Sequence, residues 1–246
     1  MSVARSLLYA AANVFHPRML WLMLWPMLVA LALWGSVALV AWGTLAVRLA
    51  AWLQQALDYA LSWSHVDFAT AALIAADVLL FIAFVPLVYL TALFILSVFG
   101  MQKMVDYVAS RSYPQLERRR GGGIAGTGWN GLVALSGMLG LAILSIPLWL
   151  LPPLWPIIPL VILGWVNQRL LRYDALAEHA DAQEMRRLFR RRRGALYLLG
   201  LLLALAAYIP IVGFFAPVVF GLAFIHYLLG ALAVERAAHN GGLSAT

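Results

Sequence analysis

The hydrophobic positions in the first half of the chain form two long runs. One covers residues 19–47 and the other covers residues 69–99. An α-helix rises about 1.5 Å per residue, so about 20 apolar residues cross a hydrocarbon core about 30 Å thick. Both runs exceed this length. The pattern therefore predicts two long transmembrane helices, the first with a bend near Pro26.

Two blocks in the second half contain no Lys, Arg, Asp or Glu. They are residues 131–168 and 194–234, and a proline-rich corner divides each block into two apolar arms. The arm at residues 195–209 has only 15 residues, fewer than a straight transmembrane helix needs. Each block therefore predicts a hairpin of short or partly penetrating helices, which is either a pair of short transmembrane helices or a re-entrant pair.

Shorter amphipathic segments predict helices that lie on the membrane surface. Residues 2–15 have apolar positions at helical spacing, and residues 48–68 repeat aromatic side chains in the same way. The apolar face predicted for the first segment consists of Leu7, Leu8, Ala11 and Phe15. A third segment begins at Asp181, which has the spacing of a capping box with Glu184 and predicts a helix to about residue 193.

Composition defines the class of protein. Of the 246 residues, 64% are hydrophobic and 11% are charged, against roughly 25% charged in a soluble domain. Residues 1–246 are therefore predicted to form a single all-α integral membrane domain, with two long transmembrane helices, two helical hairpins and amphipathic surface helices. The chain has no cysteine, which excludes disulfides and cysteine-based metal or redox sites.

The net charge is +7, and the basic residues are concentrated between the apolar runs. This distribution favours contact with anionic lipid headgroups over binding of nucleic acid. The excess of Lys and Arg predicts that residues 1–18, 101–130 and 166–193 are cytoplasmic, whereas residues 48–68 lie outside. Two long helices then cross the membrane, each hairpin returns to its own side, and both termini are cytoplasmic.

Asp77 is the one formally charged residue inside either long span. Acidic side chains within membrane spans are costly and often functional. Two interpretations stay open: a capped or solvated carboxylate near the outer membrane interface, and a group that handles a solute or a proton.

The helix predicted after Asp181 carries a cluster of basic side chains. Four of them are Arg186, Arg187, Arg190 and Arg191. The default interpretation is contact with the phosphates of anionic lipid headgroups. The alternative is recruitment of an anionic solute.

Other polar features predict no catalytic chemistry. The glycine-rich residues 121–128 match neither a Walker A loop nor a dinucleotide fingerprint, so we interpret them as a flexible linker rather than an anion-binding loop. The five histidines lack metal-ligand spacing, and His226 is interpreted as a packing residue. We predict no metal, no cofactor and no enzyme activity, and a short disordered tail after residue 236.

A sequence pattern in the C-terminal half resembles a known family. Residues 172–176 are Arg-Tyr-Asp-Ala-Leu, followed by His179 and by the Glu-Met-Arg of residues 184–186. The basic run, the charge-free arm and its prolines come next. This pattern resembles the CysZ sulfate permeases and the wider family of etoposide-induced-protein-like membrane proteins. The similarity in arrangement covers roughly residues 5–233.

The resemblance implies a multi-pass protein of the bacterial inner membrane. It also implies two long transmembrane helices, two pairs of partly penetrating helices, assembly into dimers or larger oligomers, and passage of sulfate for cysteine synthesis.

One departure concerns the sulfate site. In the sulfate permeases that this chain resembles, the turn after the first proline is Gly-x-Arg-Arg, and its arginines bind sulfate at a helix start. Here Arg18 follows Pro17, and the two arginine positions hold Leu20 and Trp21. Either Arg18 binds an anion from a shifted position, or the site is absent and the cargo differs.

Two functions therefore stand as hypotheses. The first is a permease or channel-like protein for sulfate or another small anion. The second is a non-transporting membrane scaffold or lipid-interacting protein, because the apolar runs offer few polar groups to line a path.

Overall fold

The structure, a computed structural model, describes residues 2–60, 63 and 68–243. Within these residues it is all-helical, with no strand. The α-helices are α1 (Val3–Asn13), α2 (Pro17–Ala60), α3 (Ala69–Ser112), α4 (Ile124–Leu144), α5 (Ile157–Asp174), α6 (Ala182–Arg191), α7 (Arg193–Ala206), α8 (Pro210–Phe214) and α9 (Ala216–Leu243). Two short 3-10 helices, Ile146–Leu150 and Pro152–Leu154, connect α4 to α5.

Among the described residues, five helices are long and apolar enough to cross a membrane. They are Pro17–Ala60, Ala69–Leu96, Ala125–Leu144, Pro152–Asp174 and Ala216–His239. Helix α7, with 14 residues, is apolar but shorter. The all-helical membrane class predicted from the sequence is therefore confirmed.

The chain divides into two compact units. One is Trp21–Val98, and the other combines the residues up to Leu20 with those from Phe99 onward. In the first unit, small residues of α2 and α3 form a buried cluster of Ala50, Ala72 and Ala76. Small side chains let two helices approach closely inside a membrane. The indole N–H of Trp34 donates to Thr91 Oγ1 at 2.9 Å in the same unit.

The end of α2 differs from the prediction, whereas the end of α3 agrees with it. Helix α2 continues to Ala60, so the prediction of a separate surface helix over residues 48–68 is wrong for residues 48–60. No proline or glycine lies between Gly43 and Ala60 to interrupt the helix. Residues 61–62 and 64–67 of that segment lie outside the described residues. Helix α3 continues to Ser112, as the spacing of its apolar residues predicts.

In the second unit, α9 forms the centre of the core. In the most apolar stretch of α9, 67% of the residues are buried, whereas at most 17% are buried in the corresponding stretches of the other candidate spans. Its fully buried side chains include Leu222, Phe224, Ile225, Leu228, Leu229 and Leu232. Helix α9 also continues to Leu243, so the prediction of a disordered tail after residue 236 is wrong over that range.

Helix α1 packs against α9 with a face that the sequence did not indicate. The buried residues are Ser6, Ala10 and Val14, whereas Leu8 and Phe15 of the predicted apolar face are exposed. The contact uses small residues because they allow the two helices to approach closely. Among the aromatic residues of α1, Tyr9 stacks on His226 of α9.

Candidate functional site

Arg18 lies in the first turn of α2, which begins at Pro17. Its side chain is exposed and makes no ion pair with any described residue. Its backbone N–H donates to His16 Nδ1 at 3.3 Å. An anion at a helix start binds through free backbone N–H groups, so the imidazole occupies one of the donors that such an anion would use.

A second guanidinium lies near this helix start, and the sequence analysis missed it. Arg111, in the last turn of α3, donates from Nη1 to Tyr107 Oη at 2.9 Å. Tyr107 in turn donates to Asn13 Oδ1 at 3.1 Å, and its ring centroid lies 5.3 Å from that of His16. Arg111 and Tyr107 belong to α3, whereas Asn13 and His16 flank the α1–α2 turn. This pairing between residues distant in sequence has no local signal.

His226 of α9 is held by α1 and by the end of α3. Its ring stacks on Tyr9 with centroids 4.1 Å apart, and Nδ1 lies 3.4 Å from Ser6 Oγ. The hydroxyl of Tyr113 donates to the His226 carbonyl at 3.2 Å. Burial and the charge of Tyr9 raise the pKa of Tyr113 to about 12. These contacts agree with the interpretation of His226 as a packing residue.

Asp77 is exposed on α3, and its carboxylate has a partner. The indole N–H of Trp42 on α2 donates to Asp77 Oδ1 at 3.0 Å. This contact fits a carboxylate satisfied by its neighbour. The role in handling a solute or a proton stays a prediction.

Helix α6 begins with the capping box that the sequence predicts. Asp181 Oδ1 accepts the backbone N–H groups of Gln183 and Glu184, each at 2.8 Å, and Glu184 Oε2 accepts the N–H of Asp181 at 2.9 Å. Met185 and Leu188 are buried on the inner face. The capping box fixes where α6 begins, and the burial of Met185 and Leu188 leaves the opposite face exposed.

The predicted lipid-contacting arginines lie on the outward face of α6. Arg186, Arg187, Arg190 and Arg191 are all exposed. Arg187 Nε lies 3.7 Å from Glu235 Oε1. Contact of these side chains with lipid phosphates stays a prediction.

The buried carboxylate of Glu184 joins α6 to α9. Arg236 donates to both of its oxygens, each at 2.9 Å, and Arg119 Nη1 donates to Oε1 at 3.0 Å. Arg236 also donates to the carbonyls of Glu117 and His179. Arg236 lies 52 residues from Glu184 in the sequence, and the sequence analysis missed this network.

The electrostatics of this network favour ionised Glu184. Burial acts to raise the pKa of Glu184, but hydrogen bonds from Arg236 and from the Asp181 N–H lower it overall. The adjacent His179 is buried, and burial lowers its pKa. The network therefore contains a charged carboxylate beside a histidine that favours its neutral form.

The glycine-rich segment is not the flexible linker that the sequence predicted. The backbone N–H groups of Arg120, Gly121 and Gly122 donate to carbonyls of residues 177–180 at 2.9–3.0 Å. A Cβ on Gly121 would collide with the Ala180 carbonyl oxygen. These N–H groups are thus occupied and do not form an anion-binding loop. In the described part of the chain, no group of three or more His, Asp or Glu residues is placed to hold a metal ion.

The fold and these sites define a multi-pass helical membrane protein. Large apolar side chains on α2 and α3 are exposed over their length, as in Leu39, Val40, Phe81 and Phe94. A family model described as "Sulfate transporter CysZ/Etoposide-induced protein 2.4" matches residues 6–217, and the chain belongs to this transporter-like family. The family expected from the sequence is therefore confirmed. Neither a curated protein nor a solved structure matches the chain significantly.

Proposed function

We propose that this protein is a permease or channel-like protein that passes a small anion, with sulfate as the first candidate, across the bacterial inner membrane. The observation that carries the proposal is the family match over residues 6–217. The match covers both long helices and most of the second half of the chain. It does not identify the anion, which is inferred from the family description.

The lengths of α2, α3 and α7 support the predicted membrane arrangement. Helices α2 and α3 have 44 residues each, more than a membrane crossing needs. Helix α7 spans about 21 Å at 1.5 Å per residue, less than the hydrocarbon core. In this arrangement, the α4–α5 and α7–α9 hairpins enter from the cytoplasmic side. The basic segments and both termini are cytoplasmic.

Arg18 is the proposed anion-binding side chain. Its guanidinium is exposed and unpaired among the described residues, and Arg111 lies near the same helix start. A guanidinium binds sulfate or phosphate through two parallel N–H···O bonds. The basic face of α6 then serves the separate role of contacting anionic headgroups.

One observation favours the alternative of a non-transporting scaffold. The core around α9 is packed with leucine and other apolar side chains at zero exposure, and two of the polar side chains described there, Ser6 and His226, contact each other. A conducting path needs polar groups or backbone carbonyls. For the permease, we therefore propose that the chain works as a homo-oligomer and that the anion passes between the subunits.

Growth on sulfate tests the proposal in cells. A bacterium that lacks its own sulfate uptake is expected to grow on sulfate as sole sulfur source when it expresses this chain. Arg18→Ala should abolish that growth. Arg5→Ala is the control, because it removes one positive charge from an exposed position on α1, and cells that express it should still grow. Growth on cysteine controls for viability. Equal growth of cells with and without the chain, in cultures where expression of the chain has been verified, would reject sulfate permeation.

A further inference from the structure

Helices α5 and α7 approach each other closely through two glycines. A Cβ on Gly200 would collide with the Gly164 carbonyl oxygen, and a Cβ on Gly164 would lie 3.1 Å from Leu201 Cα. Near the other end, the Tyr208 hydroxyl donates to the Pro156 carbonyl at 3.4 Å. These contacts show that the two helices run antiparallel at short separation.

The antiparallel register places arginines from both helices together. Arg172 lies eight residues beyond Gly164 on α5, and Arg193 lies seven residues before Gly200 on α7. Both positions therefore lie at the same end of the pair. The positive charges of Arg169 and Arg193 repel the positive charge of the Arg172 guanidinium. Three cationic side chains therefore lie within electrostatic range of one another at one end of the helix pair.

Neighbouring side chains hold Arg172 in place. Its Nη1 donates to Oε1 of the buried Gln168 at 3.1 Å, and its guanidinium carbon lies 4.8 Å from the ring centroid of Phe189. This stacking is a cation–π contact. In the part of the chain that the structure describes, Nε and Nη2 of Arg172 have no hydrogen-bond partner. Two donor nitrogens of a fixed guanidinium therefore stay available.

No acidic group balances these arginines. Among the described residues, none of Arg169, Arg172 and Arg193 has a carboxylate within ion-pair distance. Asp174 on the same helix accepts a hydrogen bond from Thr127 Oγ1 instead. Arg169 Nε is buried without a partner in the described part of the chain. Buried cationic donors without partners are costly, and an anion would satisfy them.

We propose that Arg169, Arg172 and Arg193 form a binding site for a tetrahedral oxyanion, which we call the α5–α7 site. Guanidinium groups suit this ligand because their N–H donors match the oxygens of sulfate and phosphate. The same chemistry is offered by the phosphate of a lipid headgroup and by a free inorganic anion. The α5–α7 site is separate from Arg18 and from the exposed arginines of α6.

Binding to the full-length protein in a nonionic detergent tests this site without any transport step. One arm titrates sodium sulfate by calorimetry, and the other titrates phosphatidylglycerol, with phosphatidylcholine as the zwitterionic reference. The double variant Arg169→Gln/Arg172→Gln should lose at least tenfold in affinity for whichever ligand binds. Arg172→Lys should lose less, because it keeps the charge but not the fork of donors.

The matched control is Arg5→Gln/Arg48→Gln. It removes two charges from exposed side chains of α1 and α2, to which no anion contact is assigned, and should change the affinity by less than threefold. Binding in the sulfate arm alone identifies a free anion, and binding in the lipid arm alone identifies a headgroup. Binding in both arms identifies a site that accepts either source.

Three results would overturn the proposal. The first is that neither sulfate nor phosphatidylglycerol binds. The second is that the arginine double variant binds with the same affinity as the wild type. The third is that Arg18→Gln loses affinity whereas the double variant does not. If the double variant does not fold, Arg193→Gln decides, because that side chain is exposed at the start of α7. A several-fold loss supports the site, and an unchanged affinity rejects it.

Discussion

Glu184 is the residue on which the junction of α6 and α9 depends. Its side chain is 5% exposed, and its partner Arg236 is 14% exposed. Removing one member of a buried, hydrogen-bonded ion pair leaves the other charge without compensation. The capping box adds a second role, because the same carboxylate accepts the backbone N–H of Asp181.

We expect Glu184→Gln to lower the free energy of unfolding by about 3 kcal/mol, because it leaves Arg236 buried without an anionic partner. Unfolding of the purified protein in detergent, followed by its tryptophan fluorescence, measures the change. Glu235→Gln is the control: its 3.7 Å pair with the exposed Arg187 is worth less than about 1 kcal/mol. Equal losses in the two variants would contradict the role given to Glu184.

The buried His179 makes the stability of this region depend on pH. Burial lowers its pKa, the charges of Arg118 and Arg236 lower it further, and Asp106 opposes them. The unfolded chain takes up the proton near pH 6.5, before the folded chain does. The contribution of His179 to stability is therefore complete above pH 6.5 and is lost as the pH falls below that value.

The melting temperature of the wild type should accordingly be lower at pH 5.5 than at pH 7.5, and His179→Gln should reduce this difference. Thermal unfolding at both pH values provides the measurement. An identical pH difference in the variant would show that another group is responsible.

Local spacing predicts some of these residues and not others. The capping box of Asp181 and Glu184 lies within four positions and was predicted. The partner of Glu184, Arg236, is 52 residues away and in a segment of polar composition. Nothing in the local pattern links them. Trp42 and Asp77 show the same limit, because their contact depends on how α2 and α3 pack.

At the scale of elements, the glycines of α5 and α7 decide how closely the helices pack. Gly200 faces the backbone of α5, and backbone atoms cannot rotate away from an added methyl group as a side chain can. Gly140 on α4 has open space around its Cβ position. The two positions form a matched pair for one substitution.

Gly200→Ala should lower the free energy of unfolding by roughly 1–3 kcal/mol, the usual cost of overpacking. Gly140→Ala should leave it unchanged or raise it, because alanine is the better helix former. Unfolding in the same detergent compares the two variants. A neutral Gly200→Ala would contradict the close approach of α5 and α7.

Apolar length predicts helices well, and it predicts their ends and partners less well. Both long helices follow from residue counts and membrane thickness. The buried face of α1 does not, because Ser6 and Ala10 are selected by the fit to α9 rather than by hydrophobicity. The segment at Gly121 and Gly122 is held through backbone N–H groups, which leave no side-chain pattern to recognise.

At the scale of the whole molecule, the proposed arrangement in the membrane can be mapped with single cysteines, since the chain contains none. Ile209 is an exposed residue at the corner between α7 and α8. Gly213 is a poor choice, because a Cβ there would lie 2.6 Å from the Ala207 carbonyl oxygen. Tyr59, at 88% exposure, and the unobstructed Gly123 provide the outer and inner references.

On intact spheroplasts, an impermeant maleimide should label Tyr59→Cys and should not label Ile209→Cys, because the proposed hairpin turns back before it reaches the outer surface. Gly123→Cys should react after lysis only. Clear external labelling of Ile209→Cys would show that α7 and α9 cross the membrane completely. External labelling of Gly123→Cys would instead reverse the predicted orientation.

The apolar core around α9 explains why the transport proposal depends on assembly. A single subunit offers few polar groups along its described helices, whereas the exposed surfaces of α2 and α3 are suited to contact lipid or another copy. The family supports transport, and the packed core supports a scaffold. Only movement of an anion separates these functions.

The measurement that separates them is the flux of labelled sulfate into liposomes that contain the purified wild-type protein. We predict saturable uptake well above that of protein-free liposomes, with competition from other small oxyanions. Uptake no faster than in protein-free liposomes, from preparations shown to be folded and inserted, would contradict the permease and support the scaffold.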